Sequence, residues 1–293
     1  MSMAEGCQEP VRRVISASRR TDLPAHFPDW LAGVLAAEKA DVRGPSGRTN
    51  TVDLRPESVH TIVLWSKDFS GLLADRCSLR SLLGKHDQLY FLFTVTGLGG
   101  TNIERGVPPA KAALDQVPAL IALAGHPRRV SLRFDPVVFW REGSDVRTNL
   151  GFFPQVAARS AAEGLTDIRI SFAQWYGKAR RRAVRNRWDY FDPDKEVKIA
   201  AAVELAAVAA SFKLSLWSCS QDFLAEVPGI RRSSCIDGAL LGELHPQGAP
   251  ASRAKDRSQR PECGCTVSID IGSYTQSCPH ACIYCYARPV PSP

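Results

Sequence analysis

Six runs of apolar, β-branched or aromatic residues recur along the chain, separated by segments of helical length. They cover residues 11–18 (VRRVISAS), 59–65 (VHTIVLW), 88–95 (QLYFLFTV), 129–134, 166–173 and 213–218. Each is short and nearly continuous in apolar character, as a strand buried on both faces should be. Between them, apolar residues at spacings of three and four predict helices over 30–39, 69–83, 108–124, 149–162 and 194–211. Gly164 suits a helix C-cap, and Asp194 and Glu196 favour the dipole of the last helix. Residues 41–56 and 241–259 are rich in turn formers and charge and read as loops. A seventh, shorter run at 266–271 (TVSIDI) follows. This alternation predicts an α/β fold with a parallel sheet covered by helices. No internal repeat or linker stands out, so a single domain over 1–293 is expected, with 219–293 as its cysteine-rich part.

In parallel sheets the chemistry gathers where strands end. Nearly every run here ends in polar groups: Ser16, Ser18, Arg19, Arg20, Thr21 and Asp22; Lys67; Asp135; Gln174; Cys219; and Asp270. Exposed strand ends are polar anyway, so each residue taken alone fits either reading. Lys67 and Arg133 could bind an anionic ligand group or pair with a neighbouring acid, and Asp135-Pro136 could serve a ligand or simply end its strand.

Composition narrows the class. No run of about 18 apolar residues crosses a membrane, and the first residues show no signal segment, so a cytoplasmic protein is expected. The net charge of +7 is spread too widely to identify a partner. Nine cysteines are more informative, because seven of them fall at or after position 219. An odd number without an export signal argues against a disulfide framework, and clustering argues for metal. Cys7 and Cys77 read as ordinary thiols.

Cys278, Cys282 and Cys285 are spaced to wrap one inorganic centre, with Tyr284 just before the third. Thiolates hold iron–sulfur clusters, usually four to a cluster. Three leave one iron of a 4Fe-4S cube open to a small molecule. Tetrahedral zinc needs a fourth ligand, and His280 lies inside the same tight loop. Cys219, Cys235, Cys263 and Cys265 are enough for an auxiliary 4Fe-4S cluster or a zinc, and can equally be unligated.

The run Cys-x3-Cys-x2-Cys with its aromatic resembles the signature of radical S-adenosylmethionine (SAM) enzymes, and most of all their spore photoproduct lyase-like branch. The whole chain is similar to the bacterial family called domain of unknown function 1848. Ser16-Ala17-Ser18-Arg19-Arg20-Thr21-Asp22 carries that likeness at one end. Cys263-Gly264-Cys265, Ser268-Ile269-Asp270-Ile271-Gly272-Ser273-Tyr274 and the triple cysteine running on to Arg288-Pro289 carry it at the other. The resemblance implies a partial, circularly permuted (βα) barrel of six to seven strands, with 266–271 acting as the first strand ahead of 11–18. It implies a 4Fe-4S cluster and SAM as cofactors, reductive cleavage of SAM to a 5′-deoxyadenosyl radical, and an electron donor such as flavodoxin or ferredoxin. Ser16, Ser18, Arg19, Arg20, Thr21, Asp22, Lys67, Asp135, Asp270 and Tyr284 become candidate cofactor contacts. The residues after the 11–18 strand lack the glycines that usually bind SAM there.

Lys178, Arg180, Arg181, Arg182, Arg185 and Arg187 form the densest basic run, with Trp175, Tyr176, Trp188 and Tyr190 beside it. It reads as a solvated helix face or an anion clamp, or as a nucleic-acid surface. Three functions remain open: SAM-dependent radical chemistry, nucleic-acid repair or modification with the same cluster, and a metal-stabilised binding protein.

Overall fold

A computed structural model describes residues 12–43, 47–273 and 275–286. Cys7, Val11, Tyr274, Arg288 and Pro289 lie outside the described residues. Eight strands form one parallel sheet. They are β1 (Arg13–Ala17), β2 (Val59–Ser66), β3 (Leu89–Thr94), β4 (Val130–Val137), β5 (Asp167–Phe172), β6 (Ser215–Ser218), β7 (Ile230–Arg232) and β8 (Ile269–Asp270). The spatial order is β7-β6-β5-β4-β3-β2-β1-β8. Every strand lies beside its neighbour in sequence except the last, which pairs with the first. Ile15 stands opposite Ile269 and Ser16 opposite Asp270.

One expectation needs correction. The strand count rises from six or seven to eight, because the brief segment Ile230–Arg232 pairs with β6. The sheet is open, with β7 and β8 as its two edges among the described residues.

Period-two alternation gives the sheet two apolar faces. Ile15, Ile62, Leu64, Phe91, Phe93, Leu132, Phe134, Ile168 and Ile170 point to the helical layer. There they meet Leu120 of helix Val117–Ala124, Val156 of helix Phe153–Ala162 and Leu205 of helix Lys195–Ser211. Asp194 caps the last of these helices, accepting from Val197 N–H at 3.0 Å. Phe69 is fully buried between Phe91 and Phe93, with ring centroids at 5.4 and 5.2 Å. Phe69→Ala should therefore cost about 3–5 kcal/mol in a urea titration.

The opposite face carries Val14, Val63, Tyr90 and Leu92. It is covered by the stretch after β7, through Cys235, Ile236, Leu241, Leu244, Cys263 and Cys265. The sequence predicts a loop over 241–259, but Asp237 caps a short helix, Gly238–Glu243, that runs into it. Other local departures have visible causes. The 69–83 helix breaks because Asp75, Cys77 and Ser78 take positive φ. The 108–124 helix splits into Ala110–Leu114 and Val117–Ala124, with Pro118 in the first turn of the second. The 41–56 region is partly a hairpin, Lys39–Arg43 against Thr49–Asp53, whose inward residues Ala40, Val42 and Val52 are few among polar ones. A small antiparallel ladder joins Phe139–Glu142 to Asp145–Thr148 and Tyr190–Phe191. Among the described residues, no helix is long and apolar enough to cross a membrane.

Candidate metal centre

The loop after β1 is held from two sides. From the edge of the sheet, the Asp270 carboxylate accepts from Ser16 Oγ at 2.9 Å, Ser18 Oγ at 2.7 Å, Arg19 N–H at 2.7 Å and Gly272 N–H at 3.0 Å. Arg20 donates to Gly272 O at 2.8 Å. Position 272 needs glycine, because a Cβ there would stand 1.9 Å from Ser18 Oγ. Ser16, Ser18, Arg19 and Asp270 thus bond one another. From β2, Asp22 accepts from Ser66 Oγ at 2.7 Å and Lys67 N–H at 2.8 Å. It also accepts from Ala25 N–H at 3.1 Å, capping the short helix Leu23–His26.

The triple-cysteine loop rests on this platform. Asp22 Oδ2 meets His280 Nε2 at 2.8 Å, and His280 Nδ1 meets Gly106 O at 2.7 Å. Two acceptors, one at each ring nitrogen, favour the imidazolium. Burial opposes charge on both partners, yet the pairing holds Asp22 below its usual range and His280 above its own. Ile283 N–H donates to Ile103 O at 3.0 Å and Gly106 N–H to His280 O at 3.2 Å. Arg182 donates to three loop carbonyls, Cys282 O at 2.9 Å, Ile283 O at 3.1 Å and Cys285 O at 2.6 Å. Tyr286 reaches Arg19 O at 3.0 Å.

Under the loop lies Glu104, only 1% exposed. It accepts from Lys67 Nζ at 2.9 Å, Thr96 Oγ1 at 2.7 Å and the Tyr284 hydroxyl. Lys67 and Tyr284 are therefore bound to an internal acid. Asp135 likewise pairs with Arg133 and Ser171. Arg19 and Arg133 both lie over the Trp65 ring, at 5.5 and 5.1 Å from its centroid. Several buried polar atoms at this end of the sheet lack a partner: Arg19 Nη2, Thr21 Oγ1, His26 Nε2, Glu104 Oε2 and Arg133 Nε. Unpaired polar atoms are costly to bury, and a bound polar ligand is one way to satisfy them.

None of the three cysteines of the loop is in a disulfide; Cys282 is buried and Cys278 and Cys285 are half-buried. Burial pushes Cys278 up to about 12 and lifts Cys282 well above the ordinary thiol range. A metal entering here would displace those protons. His26, Cys278 and His280 also bring three ligand atoms within 4.8 Å of one another, a set that could hold a metal ion. Cys219, Cys235, Cys263 and Cys265 gather on the sheet's second face.

The sequence does not single out Glu104 or His26, and it marks Arg182 only as one of the basic run, not as a support of the cysteine loop. Arg182 had a signal. Ala179, Arg182 and Ala183 form the buried stripe of helix Gly177–Arg185, while Lys178, Arg180, Arg181 and Arg185 stay exposed. Glu104 sits in a Gly-rich turn with no periodic context, so only its neighbours in space reveal it.

Gly106 makes this seating testable. A Cβ at 106 would stand 2.4 Å from Pro279 O and 2.9 Å from His280 Cα, both backbone atoms. Gly106→Ala should lift the cysteine loop, cutting the metal it takes up on reconstitution at least severalfold while the melting of the sheet changes little. Iron assay and circular dichroism on the same sample check this.

A family model described as "Domain of unknown function (DUF1848)" matches residues 14–287. No curated protein matches the chain.

Proposed function

The chain belongs to the DUF1848 family, and on that premise we propose that it is an iron–sulfur enzyme that binds SAM and uses it for radical chemistry. The carrying observation is the seating of Cys278, Cys282 and Cys285 on the loops that follow β1, β2 and β3, where a parallel sheet does its chemistry. Three thiols on one loop fit a 4Fe-4S cluster that keeps one iron for a ligand. When bound, the reduced cluster supplies the electron that cleaves SAM, with hydrogen abstraction from a substrate to follow.

The chain's own residues do the positioning. Arg182 fixes the loop carbonyls and so the direction of the cysteines. Glu104 gathers Lys67, Thr96 and Tyr284 into a buried support under the loop. The His280–Asp22 pair locks the loop to the helix Leu23–His26. Arg19, Thr21 and Arg133 keep unpaired buried polar atoms beside it that suit the carboxylate and hydroxyl groups of a ligand. A flavodoxin or ferredoxin would deliver the electron. The basic run is less suited to nucleic acid than its composition suggests, because Arg182 is spent inside the protein.

The test is anaerobic reconstitution with iron and sulfide, then dithionite and SAM, with 5′-deoxyadenosine measured by chromatography. A loaded, reduced cluster that yields no cleavage product would overturn the reading. A second reading rests on His26, Cys278 and His280 within 4.8 Å, which could hold a single ion instead. His26→Ala separates the two: iron content is kept if the three cysteines hold a cluster, and metal is lost if His26 is a ligand.

A further inference from the structure

Cys219, Cys235, Cys263 and Cys265 come from three parts of the chain. Cys219 directly follows β6, Cys235 lies just beyond β7, and Cys263 and Cys265 precede β8. Cys219 Sγ stands 3.4 Å from Cys235 Sγ. Cys235, Cys263 and Cys265 are buried in one cluster, with Cys219 packed against it. All four are free, and all but Cys219 are buried.

The backbone around them is shaped for this approach. A Cβ on Gly264 would stand 2.7 Å from Ser234 Oγ and 2.8 Å from Ser233 O. Only glycine lets the 263–265 turn lie that close to the strand exit carrying Cys235. Ser234 Oγ donates to Gly264 O at 2.7 Å, and Ile236 N–H points at Cys265 Sγ at 3.4 Å.

We propose that these four cysteines form a second metal centre, distinct from the 278–285 loop, that holds one soft divalent ion, zinc by ligand preference, in a four-thiolate shell. Zinc–sulfur bonds of about 2.3 Å in a tetrahedron set neighbouring sulfurs about 3.8 Å apart, near the Cys219–Cys235 separation. A cube of irons places each thiolate on a different corner and spreads the sulfurs further. On binding, the thiols release their protons to solvent and the four sulfurs draw in around the ion. The ion ties the ends of β6 and β7 to the approach of β8, and so pins the covering segment across the sheet.

The test uses the full chain carrying Cys278→Ala, Cys282→Ala and Cys285→Ala, purified without oxygen and dialysed before metal analysis. About one zinc per chain should remain, and exchange with cobalt(II) should give the strong visible absorption of a tetrahedral thiolate site. Adding Cys235→Ser and Cys265→Ser should lower the retained zinc at least tenfold. If the triple variant does not fold, Cys219→Ser/Cys263→Ser in the otherwise unchanged chain should lose zinc and keep its iron. Retention of no metal overturns the proposal, as does retention of about four irons with iron–sulfur absorbance. SAM cleavage is not measured, so failure of the radical reading would leave this result standing.

Discussion

Cys282→Ala is expected to abolish the iron–sulfur absorbance of the reconstituted protein and to bring SAM cleavage down to background. Cys282 is the middle cysteine of the three and the most buried, at 5% exposed. Two cysteines cannot hold a four-iron cluster in place of three, and the neighbouring backbone is fixed by Arg182 and Ile103, so no other side chain can swing in. The substitution removes one thiol from a small satellite cluster formed with Leu98, Ile103, Val107 and Ile283, so the sheet itself should be little affected. Urea unfolding within about 1 kcal/mol of the parent, together with lost iron, would identify Cys282 as a ligand. Full iron loading and undiminished cleavage would remove the loop from the mechanism.

The second large effect falls on stability. Asp270→Ala should cost about 3–5 kcal/mol, read as a lower urea midpoint. Ser16 and Ser18 are at most 3% exposed, and both lose their acceptor together with the N–H groups of Arg19 and Gly272. Buried donors left without partners carry most of that cost. Asp270 also joins β8 to β1 through only two paired positions, so its loss should open the edge of the sheet. Asp270→Asn keeps one acceptor oxygen but turns an amide toward donors, and should fall between the parent and Asp270→Ala. Equal stability of all three proteins would show that the network contributes little.

Much of this architecture is written in local patterns. β2 to β6 show in the sequence because both of their faces are covered, which forces uninterrupted apolar runs. β7 and β8 are edge strands of three and two residues, and Ile230 alone among the β7 residues is buried, so β7 leaves almost no period to read. The three cysteines of the candidate centre stand out in the sequence by their spacing, and the Ser16–Asp22 segment by its place at a strand end. What those residues touch was not. Asp270, Lys67 and Tyr284 looked like ligand contacts, but their polar atoms are taken by Ser18, Glu104 and other internal partners. A sequence shows that a polar group is present at a site without showing whether another protein group already satisfies it. Arg182 illustrates the reverse: its character was set by charged neighbours in the sequence, but its role comes from three carbonyls about 100 residues away.

The pairing of β8 with β1 also sets a timetable for synthesis. Ser16 and Asp270 are 254 positions apart. At about 5–20 residues per second, β1 waits roughly 13–50 s for its outer neighbour to emerge from the ribosome. During that interval its unpaired N–H and C=O groups form an open strand edge, the kind that recruits other chains. A cell making this protein quickly, or stalling late in its message, would accumulate chains with that edge exposed. They would carry six or seven paired strands and no cysteine loop, so sensitivity to aggregation and absence of metal should arise in the same molecules.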